Sequence, residues 1–199
     1  MQLAIIKYNA GNIMSVDYAL QRLGIEARVT DDHEYIRSAD KVIFPGVGEA
    51  STTMKFLREK KLDRLIPELT QPVLGICLGL QLMCRYSEEG DTTCIGVFDE
   101  KVRKFRTEPT QNEKLKIPHM GWNTISDLKT SLFAGVMENQ YTYFVHGFYA
   151  ETGINTVAMC NYIVPFSAAL HYRNFYATQF HPEKSGTAGS QIINNFLAI

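Results

Sequence analysis

Pro72-Val73-Leu74-Gly75-Ile76-Cys77-Leu78-Gly79 is the stretch that decides the fold. Val73 to Ile76 is an unbroken apolar run, the pattern of a parallel strand buried on both faces. Gly75 and Gly79 bracket a cysteine where that strand turns sharply into a helix beginning near Leu78. Flanking glycines permit a tight, strained turn that leaves the central side chain exposed at the carboxyl edge of the sheet, so this reads as a cysteine version of the nucleophile elbow. A cysteine at a helix N-terminus is also favoured as thiolate by the helix dipole, and the backbone N–H of Leu78 is expected to be free for an oxyanion. Taken alone, the pentapeptide reads about as well as a small buried cysteine between packing glycines.

Working outward, the first half alternates strand and helix. Leu3 to Tyr8 is an apolar run, and Asn12 to Leu23 places Ile13, Val16, Ala19, Leu20 and Leu23 on one helical face closed by Gly24. A strand is expected at 27–30, a short helix after Asp31-Asp32, a strand at 41–44 ending in Pro45-Gly46, and a helix over 51–65. This rhythm predicts an α/β three-layer sandwich around a central, mostly parallel sheet. After Gly90 the texture turns to period-2 alternation at 97–105, 141–150, 156–161, 168–172 and 175–180, predicting later strands, several of them antiparallel, before a last helix at 188–197. The polar run 108–116 reads as a surface loop.

Bulk properties narrow the class. The 199 residues, 45% hydrophobic, suit one domain spanning 1–199. A net charge of -1, with both signs mixed along the chain, gives no footprint for nucleic acid. No apolar stretch reaches the ~20 residues that span a bilayer, and the start lacks the pattern of a signal peptide, so a cytoplasmic protein is expected. Cys77, Cys84, Cys94 and Cys160 form no CxxC pair and have no histidines at metal-ligand spacing, which disfavours a metal site or disulfide framework.

A second motif weights the cysteine toward chemistry. Phe180-His181-Pro182-Glu183 follows the strand at 175–180, and Pro182 biases His181 toward extended backbone. Residues two apart on an extended segment face the same way, so His181 and Glu183 can serve as a base and the carboxylate that orients it. Pro45-Gly46-Val47-Gly48, directly after the third strand, can turn a backbone N–H toward a developing oxyanion. It fails the GxGxxG fingerprint and no GK[ST] follows, so a nucleotide loop is disfavoured. Among the remaining histidines, His119, His146 and His171 sit in or beside apolar segments and read as packing residues. His146, in the strand 143–149, is the one placed to line a site.

With these residues assembled, the chain resembles the class I (triad) glutamine amidotransferases, through GICLGLQLM around Cys77 and FHPEKSG around His181. Within that class, YNAGN (8–12), FPGVG (44–48), SEEG (87–90), KIPHMGWN (116–123) and YFVHGFY (143–149) are similar to the glutaminase subunits of imidazole glycerol phosphate synthases, and the match runs through essentially the whole chain. The resemblance implies a flavodoxin-like sandwich with no cofactor and no metal. It implies that Cys77 attacks the carboxamide of glutamine to give a glutamyl thioester, with His181 protonating the departing ammonia and Glu183 supporting it. By the same resemblance Gly46, Gln81 and the backbone at His146 and Gly147 hold glutamine, while Val47 and Leu78 supply oxyanion N–H groups. The implied partner is a (β/α)₈-barrel cyclase subunit in a heterodimer, met by Asn12, Trp122, Tyr143 and Lys184. That partner uses the ammonia to convert a ribulosyl aminoimidazole carboxamide ribonucleotide to imidazole glycerol phosphate in histidine biosynthesis.

One position departs from the pattern: Gly147 stands where a hydroxyl residue is expected. Similar proteins also supply ammonia for sugar amidation in surface polysaccharide synthesis. Stress-protein relatives of the fold, by contrast, place a histidine directly after the elbow cysteine, and here that residue is Leu78. The glycines of 45–48 further suggest a peptide flip that presents the Val47 N–H only in an active state.

Overall fold

The computed structural model describes residues 1–8, 13–107 and 115–199. Most of the 108–116 loop lies outside them. Within the described residues the chain runs β1 (Leu3–Ile6), α1 (Ile13–Arg22), β2 (Arg28–Thr30), α2 (His33–Ser38), β3 (Lys41–Phe44), α3 (Ala50–Glu59), α4 (Leu62–Leu65), β4 (Val73–Ile76) and α5 (Leu78–Met83). There follow β5 (Tyr86–Ser87), β6 (Thr92–Thr93), β7 (Lys101–Lys104), β8 (His119–Ile125), β9 (Gln140–His146), β10 (Phe148–Ala150), β11 (Thr156–Asn161), β12 (Pro165–Tyr172), β13 (Phe175–Thr178) and α6 (Gly186–Ala198).

Local chemistry sets the helix ends. The Asp32 carboxylate accepts from the N–H groups of Glu34 and Tyr35 and starts α2. Gly24, at φ +73°, closes α1, with the Ile25 N–H reaching back to Leu20 O at 3.0 Å. The single helix expected over 51–65 is two. Ala50, Thr53, Met54 and Leu57 form the buried face of α3, and continuing its 3.6-residue period would turn Lys61 and Arg64 inward. A left-handed residue at Lys61, φ +56°, resets the phase so that Leu62 and Leu65 are buried instead.

The main sheet has the order β11-β12-β13-β4-β3-β1-β2. From β2 to β13 the pairings are parallel; β12 and β11 extend the sheet antiparallel. Ala4 and Ile6 of β1 face one apolar core, Leu3 and Ile5 the other, so the sheet is covered on both sides, as the three-layer expectation requires. A smaller sheet, β10-β7-β5-β6, and the ribbon β8-β9 complete the second half. There the expected strand 97–105 shortens to β7, and 141–150 breaks into β9 and β10 at Gly147.

This order positions the site. β1, β3, β4 and β13 lie side by side and parallel, so the segments leaving their carboxyl ends meet along one edge. Those segments carry Tyr8, Pro45 to Gly48, Cys77, and Gln179 to Glu183.

Candidate active site

The elbow forms as the glycines suggest. Cys77 sits at φ +52°, ψ −105°, a backbone conformation strained for an L side chain, and its N–H donates to Thr178 O at 2.7 Å on the neighbouring strand. The turn closes only because Gly79 presses against the Phe44 carbonyl, where a Cβ would collide. Cys77 caps α5 and lines a cavity of about 260 Å³ with Val47, Gly48, Gln81, Glu89, His146 and Gly147. That volume lies near the lower end for small-ligand sites.

His181 is 1% exposed and its Nδ1 donates to Glu183 Oε1 at 2.8 Å. The pair does not meet along an extended strand, as expected; only His181 is extended, and Pro182 to Lys184 form a 3₁₀ turn that brings the carboxylate beneath the ring. Backbone contacts fix the imidazole, its N–H donating to Tyr143 O at 2.9 Å and its C=O accepting from Ser185 Oγ at 2.7 Å. Burial works against a charged ring here. The Cys77 sulfur beside it and the Glu183 carboxylate outweigh that effect and hold the His181 pKa up at about 10.

Leu78 is the main correction. Its N–H is not free: it points at Gly46 O, 3.4 Å away. Gly46 permits this approach because it has no side chain; a Cβ there would lie 2.6 Å from Leu78 Cβ. The Gly46 carbonyl thus sits where the expected oxyanion would bind. Tyr8 ties the same loop down, its hydroxyl donating to Pro45 O at 2.5 Å.

The other named residues divide. Gln81 is buried, its Nε2 donating to Phe148 O and Gln179 Oε1, and it lines the cavity. His146 and Gly147 form the facing wall. His146 donates through Nδ1 to Phe148 O at 2.7 Å, so its Nε2 accepts from His119 Nδ1, 3.0 Å away. Burial pushes His146 down to about 3 and His119 to about 4, so both are neutral. Trp122 and Tyr143 meet edge to face, and Lys184 is exposed on the turn beside Tyr143. Asn12 lies outside the described residues. Cys84, Cys94 and Cys160 are buried, with thiol pKa values pushed up by burial. Among the described residues no group of three or more His, Cys, Asp or Glu could hold a metal ion, and no helix is long and apolar enough to cross a membrane.

Two residues of the site were missed from sequence. Gln179 Nε2 lies 3.6 Å from Cys77 Sγ; its position two before His181, on the continuation of β13, was the available signal. Glu89 lines the cavity half-buried, its carboxyl pKa raised by burial although it accepts from the Ala50 N–H at 2.8 Å. Only its place in the SEEG segment marked it.

Comparison with known proteins agrees with this architecture. Residues 5–199 match the family described as glutamine amidotransferase class-I. The imidazole glycerol phosphate synthase subunit HisH of Bacteroides fragilis (strain YCH46) is 62% identical over 199 residues, covering all of both chains. That of Pasteurella multocida (strain Pm70) is 45% identical over 196 residues, covering 98% of this chain and 96% of its own. Among solved structures, a glutamine amidotransferase from Thermotoga maritima shares the fold at a TM-score of 0.63 and 14% identity, covering 100% of this chain and 83% of that one. The chain therefore belongs to the class I glutamine amidotransferases and, within them, to the family of imidazole glycerol phosphate synthase HisH subunits.

Proposed function

We propose that the chain hydrolyses glutamine at a Cys77–His181–Glu183 triad and passes the ammonia to the cyclase subunit of an imidazole glycerol phosphate synthase. The observation that carries the reading is the 2.8 Å His181–Glu183 pair set against an elbow cysteine that opens into a cavity. The Cys77 sulfur attacks the carboxamide carbon, and His181, charged at neutral pH, gives its Nε2 proton to the departing nitrogen as the C–N bond breaks. Neutral His181 then takes a proton from water, which attacks the thioester; glutamate leaves and the thiolate–imidazolium pair is restored. Glu183 holds the ring tautomer throughout. The Gln81 amide and the Glu89 carboxylate, both on the cavity wall, suit the ammonium group of glutamine.

The loop geometry gives this reading a resting state. With Gly46 O on the Leu78 N–H, one oxyanion donor is covered. Turning over the Gly46–Val47 peptide removes that carbonyl and brings the Val47 N–H in. One such donor is worth roughly 3 kcal/mol, a hundred- to thousand-fold in rate. The partner surface is assigned to the exposed residues around Trp122, Tyr143 and Lys184, and the partner to a (β/α)₈-barrel cyclase.

Cys77→Ala tests the reading. Expected is loss of glutamate release, slow release from the isolated wild-type chain, and a Cys77→Ala complex that still makes imidazole glycerol phosphate from added ammonium. Glutaminase activity surviving in Cys77→Ala would refute the nucleophile.

A further inference from the structure

Gln179 is fully buried where the chain leaves β13, between Cys77 and Gln81. Hydrogen-bond direction leaves its amide one orientation. Phe148 O can only accept, so it takes one hydrogen of Gln81 Nε2, at 2.9 Å. The other hydrogen of that nitrogen goes to Gln179 Oε1 at 3.0 Å. Gln179 therefore turns its oxygen to Gln81 and its nitrogen to Cys77, with Nε2 3.6 Å from Sγ. Its backbone N–H is held by Ala168 O at 2.8 Å, so the side chain starts from a fixed point.

We propose that Gln179 is a further catalytic group of this site: a neutral donor, aimed by Gln81, that hydrogen-bonds the Cys77 sulfur and favours it as thiolate. The proposal rests on the reading of Cys77 as nucleophile. Another polar atom near the sulfur, Val145 O at 3.8 Å, accepts from a thiol and repels a thiolate. Gln179 opposes that bias. The titratable groups acting on the sulfur are His181 and Tyr8. Burial pushes the Tyr8 hydroxyl well above its ordinary range and keeps it neutral, whereas His181 gives up and regains its proton in each turnover. Gln179 does not titrate. Its N–H is present both when the sulfur attacks and when the thioester C–S bond breaks and the electron pair returns to sulfur, the step in which a stabilised thiolate is the better leaving group.

The test is the pH dependence of Cys77 alkylation by iodoacetamide in the full-length chain, with the modified peptide identified by mass and Cys77→Ala as the blank. Gln179→Met keeps the length and removes the donor. It is expected to raise the midpoint by about one pH unit, slowing alkylation near neutral pH about tenfold. In the complex, kcat for glutamate release should fall by about the same factor while KM for glutamine changes little. A folded Gln179→Met chain with the wild-type midpoint overturns the proposal, even if its melting temperature falls, because a packing role moves stability alone. Should that variant not fold, Gln81→Leu carries the test. Removing the aiming bond is expected to raise the midpoint too, and an unmoved midpoint there overturns the proposal. Glutamine hydrolysis surviving in Cys77→Ala would instead overturn the nucleophile assignment beneath it.

Discussion

Two imidazoles near Cys77, those of His181 and His146, are almost equally shut away from water, 1% and 5% exposed. One is held charged and the other neutral. Burial pushes both toward neutrality, so the difference lies in what their ring nitrogens meet. His181 has the Glu183 carboxylate on Nδ1 and the Cys77 sulfur beside it. His146 has a carbonyl on Nδ1 and the Nδ1–H of His119 on Nε2. His119 in turn accepts from Asn123 Nδ2 at 3.3 Å and lies stacked on Tyr162 with a ring separation of 3.9 Å. A proton added to His146 would set two N–H groups against each other. The first pair is wired to trade a proton; the second is wired to keep its protons fixed and to hold the wall formed by β8, β9 and β10.

The most forceful way to break that contrast is to remove each imidazole function in turn. His181→Gln is expected to lower glutamate release by ~10⁴-fold or more, and Glu183→Gln by ~10²- to 10⁴-fold with less effect on glutamine binding. His119→Phe keeps a ring against Tyr162 and leaves His146 Nε2 without its donor, which costs about 1–3 kcal/mol of stability. Its kcat should stay within about tenfold of wild type, since general acid–base roles account for far larger factors. Steady-state kinetics with urea unfolding measures both. A loss in His119→Phe comparable to that in His181→Gln would put the neutral pair inside the proton path.

Acid sharpens the comparison. His119 and His146 fall from an ordinary 6.5 to about 4 and about 3 on folding, so as pH drops the unfolded chain takes up their protons first. Stability should therefore decline as pH falls from about 6.5 to about 5, a window in which carboxylates remain ionised in both states. His181, raised to about 10, contributes with the opposite sign near pH 6.5 and little by pH 5, where it is protonated in both states. The urea midpoint of His119→Phe should show about half the wild-type slope. An identical slope would mean that His119 titrates normally in the folded chain.

The legible parts of the molecule are those written in short, strong signals. β3 and β4 were readable residue for residue, because strands buried on both faces admit nothing but apolar side chains there. Cys77, His181 and Glu183 were readable because a strained turn and a proline-restricted histidine need particular residue types. The ribbon β8-β9 was half hidden. β9 alternates visibly, while β8 carries Gly121 and exposed Met120 and Trp122, so its pattern is set by a surface rather than a core. Leu78 shows a different limit. Its N–H could be identified as an oxyanion donor from the elbow, but its occupation by Gly46 O depends on how two distant loops pack. Gln179 was missed because a polar residue between two apolar ones looks like ordinary strand alternation until its neighbours across the sheet are known.

The smallest expected effect lies on the wall that the neutral pair supports. Gly147 lines the cavity directly after His146, and the family pattern led us to expect a hydroxyl residue there. Nothing in the backbone demands glycine. Gly147 is not among the residues at positive φ, and an added Cβ would meet only Ile117 Cγ2, at 4.0 Å, an ordinary contact. Gly147→Ser should therefore change stability by no more than about 0.5 kcal/mol. Any benefit must come from the hydroxyl reaching bound glutamine, where one hydrogen bond contributes about 0.5–1.5 kcal/mol, or roughly a two- to tenfold lower KM. Glutaminase kinetics of the complex, together with urea unfolding, decide between the outcomes. A lower KM with unchanged kcat makes residue 147 part of substrate binding. Unchanged kinetics leave the backbone of His146 and Gly147 as its whole contribution. A loss of stability well beyond 0.5 kcal/mol would mean that the wall cannot accept a side chain and that its shape depends on more than the two histidines.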